Sequence, residues 1–256
     1  MAVLVDIGNT RIKWALLERG RLTGRGSAVH RDSLDAAIAA LDAALPAKPQ
    51  IIASNVAGDV AAARLEALVA ARPGASLELV STSAERFGVR CAYADPSRLG
   101  VDRWVAVLAA HHAQRARAAC VLSAGTAVTF DAVDAAGLHL GGLIIPGASL
   151  LAAALDRHTS NIGRTAPATA VPEGLELLGR NTDKAVGHGA WLAIAAALDR
   201  AVATIADALR TTPVVYLTGG DADALRGWLA TRVELRADLV LEGLQLFAGA
   251  RAEAGR

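Results

Sequence analysis

Near the start of the chain a short apolar run, Val3 to Val5, leads into Asp6-Ile7-Gly8-Asn9-Thr10. An aspartate followed by a glycine turn is suited to binding an anion. Glycine has no side chain, so main-chain N–H groups can come close to phosphate, and Thr10 adds a hydroxyl donor. Asp6 is itself anionic and would act through Mg²⁺ or its waters, while Lys13 offers a further positive charge. Two later glycine turns, Ser123-Ala124-Gly125-Thr126-Ala127 and Thr218-Gly219-Gly220-Asp221-Ala222, also follow apolar runs. Taken alone, Gly8-Asn9 reads equally well as a tight hairpin turn, which both residue types favour for dihedral reasons. The recurrence favours phosphate. Neither a Walker A lysine loop nor a G-x-G-x-x-G fingerprint is present, so P-loop and Rossmann readings have no support.

A second constellation is Gly100-Val101-Asp102-Arg103-Trp104. The Arg103 guanidinium could make paired hydrogen bonds to a carboxylate. From these residues alone, a structural ion pair at a helix start is the plainer account. His111 and His112 are adjacent; neighbours on a helix point about 100° apart and make poor joint ligands. A solvent or core role fits them better, and no zinc spacing or Ser-His-Asp order can be argued.

The elements that must position these residues fall into two similar series. Apolar alternation predicts strands at Val3–Val5, Ile12–Leu16 and Arg21–Ala28, a helix over Leu34–Leu45, a strand at Ile51–Ser54 and a helix over Val60–Ala71. The order restarts with strands at Ala119–Leu122, Ala127–Val133 and Leu138–Ile145. Helices are expected over Ala148–Asp156 and Thr182–Leu209, then a strand at Val214–Leu217 and helices over Asp221–Leu229 and Leu239–Ala250. The expected fold class is α/β, an internal duplication with a cleft between the halves.

Composition sets limits. The 256 residues are 53% hydrophobic and 20% charged, a globular balance with length for two ordinary lobes. A formal charge of +1 leaves no strong electrostatic footprint for nucleic acid or an anionic membrane. Arg115 and Arg117 make only a local basic patch, read as a solvated helix end. Cys91 and Cys120 lack C-x-x-C spacing, and the start of the chain lacks a signal peptide's pattern, so a cytoplasmic location is expected. The most apolar helical stretch, Ala190–Leu198, is too short to cross a bilayer and is read as a buried or interface helix.

The three turns resemble the two phosphate motifs and the adenosine motif of the actin, hexokinase and acetate kinase superfamily. Tyr93-Ala94-Asp95-Pro96, Leu99 to Trp104, Gly141-Gly142-Leu143-Ile144-Ile145-Pro146-Gly147 and Asn181-Thr182 with Ala185 and Gly189 narrow this: together they resemble type III pantothenate kinases. The match covers nearly the whole chain. It implies a duplicated actin-like (ribonuclease H-like) fold with lobes 1–115 and 116–256, an interlobe ATP cleft, and a homodimer. The implied reaction is phosphorylation of pantothenate to 4′-phosphopantothenate, the first step of coenzyme A biosynthesis, with Mg²⁺ and K⁺ or NH₄⁺.

By the same resemblance, Asp6, Ile7, Gly8, Asn9, Thr10, Arg11, Ile12, Lys13 and Thr126 contact ATP, with Mg²⁺ at Asp6. Tyr93, Gly100, Val101, Asp102, Arg103 and Thr182 contact pantothenate, Asp102 accepting the proton. Without it, Tyr93 would read as a packed tyrosine, Gly100 as a turn residue and Thr182 as a helix N-cap. Ser123 stands where the family usually has an acidic residue associated with a monovalent cation. Other classes consistent with the turns are a nucleotide-binding regulatory protein of the same fold and a sugar or acetate kinase of the superfamily.

Overall fold

The computed structural model describes residues 1–114, 116–160, 162–163, 165, 167 and 170–254. Arg115, half of the expected basic patch, lies outside the described residues. In chain order the elements are β1 (Ala2–Ile7), β2 (Arg11–Glu18), β3 (Arg21–Val29), α1 (Leu34–Ala44), β4 (Gln50–Asn55), α2 (Asp59–Ala70), β5 (Ser76–Leu79), β6 (Glu85–Arg86), β7 (Val89–Arg90) and α3 (Val101–Ala113). There follow β8 (Ala119–Ala124), β9 (Ala127–Val133), β10 (His139–Pro146), α4 (Ala148–His158), α5 (Thr182–Leu209), β11 (Val214–Thr218), α6 (Ala222–Arg226), β12 (Glu234–Leu235) and α7 (Leu239–Ala254). Among the described residues, no helix is long and apolar enough to cross a membrane.

The chain divides into two compact units, Met1–His112 with Asp238–Arg256, and Ala113–Ala237. Each holds a five-stranded sheet: β3-β2-β1-β4-β5 in the first, β10-β9-β8-β11-β12 in the second. The orders are identical when each strand is matched with the one seven places later. Within each sheet the first three strands pair antiparallel and the last two join parallel. This is the duplicated actin-like α/β architecture, and it places the turns β1–β2 and β8–β9 at equivalent points.

In the first unit Val3, Val5, Ile7, Ile12, Trp14, Ile51 and Ala53 form one core with Ala37 and Leu41 of α1 and Ala61 and Leu65 of α2. Successive strand residues point to opposite faces, so the equally buried Leu4, Ala15 and Ile52 face the other way. That face is covered by α7, which packs on β1, β2 and β4 and buries Leu239, Leu241 and Leu244. The expected lobe boundary therefore needs correction at the far end. Residues 238–256 belong with the first unit, because a sheet apolar on both faces requires a second cover.

In the second unit Cys120, Leu122, Val128, Phe130, Val215 and Leu217 pack against Trp191, Ile194, Leu198 and Val202 of α5. Burial pushes the Cys120 thiol up to about 12, an inert core thiol. The core face of α5 repeats at helical spacing, while Leu192, Ala193, Ala196 and Ala197 stay exposed within the single chain.

The attachment of α7 depends on a close approach to α3, where a Cβ on Gly243 would run into the Val105 carbonyl oxygen. Gly243→Ala should lower stability by about 1–3 kcal/mol, the usual cost of overpacking. Thermal unfolding of the purified variant checks this.

Candidate active site

The register of the first sheet assembles one face of the site. Asp6 on β1 lies opposite Lys13 on β2 and opposite Ser54 on β4, so the three side chains share a face at the carboxyl end of the parallel pair. Ser54 is fully buried and its hydroxyl donates to Asp6 Oδ1 at 2.8 Å. Desolvation by the surrounding protein raises the Asp6 carboxyl from 3.8 to about 6; the Ser54 hydrogen bond lowers it, nearby Asp102 raises it, and Lys13 lowers it. Two carboxylates crowded in this way are relieved by a cation. Among the described residues no group of three or more His, Cys, Asp or Glu could hold a metal ion by itself. Hard oxygen donors with one or two carboxylates fit Mg²⁺, which takes its remaining ligands from water and phosphate.

Gly8, Asn9 and Thr10 link β1 to β2, with the Gly8 N–H donating to the Arg11 carbonyl at 3.1 Å. Gly8 has no left-handed φ, and a Cβ there would meet only the Arg11 carbonyl at an ordinary 3.5 Å. Neither a left-handed φ nor packing against the described residues requires glycine at position 8. Ile7 and Ile12 are fully buried and pair in the ladder, so their side chains face the core and only their main chain is available to a nucleotide. Arg11 is exposed and its Nη1 donates to Ser27 Oγ at 3.3 Å.

The Gly100–Trp104 segment opens α3. Asp102 Oδ1 accepts from the Arg103 main-chain N–H at 2.8 Å, and a Cβ on Gly100 would lie 2.8 Å from that same oxygen. Gly100 thus leaves room for the carboxylate rather than serving a left-handed turn. Arg103 is buried, and its Nη1 donates to the Tyr93 hydroxyl at 3.3 Å. Val101 is the first residue of α3 and is half-buried. Asp6, Lys13, Tyr93, Asp102 and Arg103 all belong to the first unit.

Ser123, Thr126 and Thr182 belong to the second unit. Ser123 lies between Thr129 and Thr218 in the sheet register. The β8–β9 turn is one residue tighter than its counterpart, with the Gly125 N–H donating to the Ala127 carbonyl at 3.2 Å. Gly147 and Gly219 close on it: the Gly147 N–H donates to the Thr126 carbonyl at 2.9 Å, and a Cβ on Gly219, whose φ is +104°, would collide with Ala124. The Asp221 N–H reaches the Ala124 carbonyl at 3.0 Å, joining the second and third glycine turns, and burial raises the Asp221 carboxyl. Thr182 is the exposed first residue of α5; the N-cap is Asn181, whose side chain accepts from the Lys184 N–H at 2.9 Å.

Sequence reasoning missed Ser54. Its only signal was a polar residue ending the apolar run Ile51–Ala53, and its role comes from the parallel register.

The raised Asp6 carboxyl has a thermodynamic consequence. The folded protein holds this proton more tightly than the unfolded chain, so the contribution is full below about pH 4 and is lost as pH rises through about 6. In metal-free protein, denaturant-derived stability should fall by up to about 3 kcal/mol across that window. Asp6→Asn should remove the slope, and adding Mg²⁺ with nucleotide should oppose it.

Comparison with known proteins shows the family. A family model described as type III pantothenate kinase matches residues 2–204. A type III pantothenate kinase of Nitrosococcus oceani is 32% identical over 95% of this chain and 92% of its own length. One from Burkholderia mallei is 37% identical over 97% of this chain and 99% of its own. Among solved structures, a Campylobacter jejuni protein assigned to the Baf family of transcriptional activators superposes with a TM-score of 0.59 over 98% of this chain and 99% of its own. At 18% identity that likeness speaks for the fold alone. A family match over most of the length, joined to relatives aligned almost end to end, means that this chain belongs to the type III pantothenate kinases.

Proposed function

We propose that the chain transfers the γ-phosphoryl group of ATP to the primary hydroxyl of pantothenate, giving 4′-phosphopantothenate and ADP at the entry to coenzyme A biosynthesis. The observation that carries this reading is the placement of Asp102, at the start of α3, close enough to raise the Asp6 carboxyl by its charge. In this reading Asp6 is the phosphate-side carboxylate and Asp102 the acceptor-side one, and the charge of Asp102 acting on Asp6 supports it. Asp6 would hold Mg²⁺, which when bound neutralises charge on the phosphate oxygens.

The turn Gly8 to Thr10, with Lys13 and Thr126, supplies the proposed nucleotide contacts. The buried Arg103, steadied by Tyr93, is the proposed partner of the pantothenate carboxylate; Gly100, Val101 and Thr182 complete the acceptor contacts. The acceptor hydroxyl forms the new O–P bond as the β,γ-bridging O–P bond breaks and ADP leaves. Asp102 receives the hydroxyl proton. A carboxylate suffices as base because a loose transition state needs alignment first and proton removal late.

Ser123 contributes a neutral hydroxyl at the position associated with monovalent cations, so dependence on K⁺ or NH₄⁺ is proposed to be weaker than a carboxylate would give. The free Cys91 and Cys120 suit a cytoplasmic setting. Leu143 and Ile144 on the edge strand β10, Leu150 and Leu155 on α4, and Leu192 on α5 are exposed. Strand β10 and α5 both adjoin α4. An apolar edge strand left open to water favours a second copy as its cover, so a homodimer is proposed.

Purified protein given pantothenate, ATP and Mg²⁺ should form 4′-phosphopantothenate, with and without K⁺ or NH₄⁺ separating the cation requirement. Asp102→Asn should lower kcat by a factor on the order of 10²–10⁴ with unchanged melting. A wild type inactive under every condition would overturn the reading. Light scattering at micromolar concentration should return twice the chain mass, and Ile144→Glu should return a folded monomer.

A further inference from the structure

His30 follows the last residue of β3 and makes two contacts with the first glycine turn. Its main-chain N–H donates to the Thr10 carbonyl at 3.0 Å, and its ring Nε2 lies 2.6 Å from the Gly8 carbonyl oxygen. A carbonyl can only accept, so Nε2 carries the proton and donates. Both the neutral Nε2–H tautomer and the imidazolium can make this bond.

The consequence comes from peptide geometry. In a planar trans peptide the C=O and the following N–H point in opposite directions. The Gly8 carbonyl shares its peptide with the Asn9 N–H, so fixing the carbonyl toward His30 fixes that N–H away from it. Among the described residues no group accepts from the Asn9 N–H, and Asn9 is exposed. Gly8 itself lies outside the left-handed region, and on its side of the peptide there is no side chain to resist rotation. Without the imidazole, the adjoining peptide would lose the one side-chain contact that, among the described residues, sets its direction.

We propose that His30 is a positioning residue for nucleotide: it orients the Gly8–Asn9 peptide so that the Asn9 N–H is presented to a phosphate oxygen. The inference rests on the ATP reading of this turn and adds to it a residue at the end of β3, remote from the motif in sequence. The alternative role is structural, with the ring merely satisfying a turn carbonyl.

The test compares His30→Ala, His30→Met, which fills volume without a donor, and His30→Gln, whose amide nitrogen can replace Nε2–H. Calorimetric binding of Mg²⁺ with a non-hydrolysable ATP analogue is measured alongside KM for each substrate. Both donorless variants should weaken analogue binding roughly tenfold, the scale of one hydrogen bond. KM for pantothenate should stay within about twofold, and His30→Gln should recover most of the affinity. Wild-type affinity in either folded donorless variant, or no recovery in His30→Gln, overturns the proposal. If His30→Ala does not fold, the Met and Gln pair decides the matter. Wild-type protein that binds no nucleotide would overturn the ATP reading and this inference with it; wild-type binding with silent variants overturns the inference alone.

Discussion

The central constraint is the register of β1. Asp6 meets Lys13 across an antiparallel ladder and Ser54 across a parallel one, and both neighbours act on its charge. A slip of one residue in either ladder would turn Asp6 into the core and bring Ile7 to the ligand side. The buried Ile7–Ile12 pair beneath the turn opposes such a slip, because it can be buried only in the observed register. Core packing therefore specifies the site, one residue at a time.

The same locality stores electrostatic tension. Asp6 is desolvated and feels Asp102, while Arg103 is buried next door at the start of α3. Each of these charges is held where bulk water cannot fully satisfy it, an arrangement that favours ligands carrying the complementary charge. Gly100 belongs to this economy through its missing side chain, which leaves space for the Asp102 carboxylate to turn back onto the helix start. Preorganisation of this kind suits phosphoryl transfer, in which placing and stabilising charge does most of the work.

Much of the fold was legible because strand alternation and helical spacing agree with burial over long segments; α5 and β9 begin and end where their patterns do. The short edge strands β5 and β12 were not foreseen, since three partly buried residues and one exposed in β5, and two exposed in β12, leave little alternation to read. The affiliation of α7 was also hidden, because an apolar helix face does not say which sheet it covers. At the site, Asp6, Asp102 and Arg103 were visible by residue type. Ser54 and His30 were not, because their roles arise from register and from a peptide's direction. Thr182 was displaced as a cap by its neighbour Asn181, whose shorter-range bond to Lys184 fits that position.

The return of α7 to the first unit has a bearing on how the protein is made. On the ribosome, β1, β2 and β4 emerge before the whole second unit, yet the helix that covers their second face emerges after it. Until then the side of the sheet carrying Leu4 and Ile52 has no α7 to shield it, while the intervening unit has all of its strands and can fold behind it. The first half of the duplication is thus begun before the second and finished after it. The glycine turn built on β1 acquires its finished support only once the second unit has been translated.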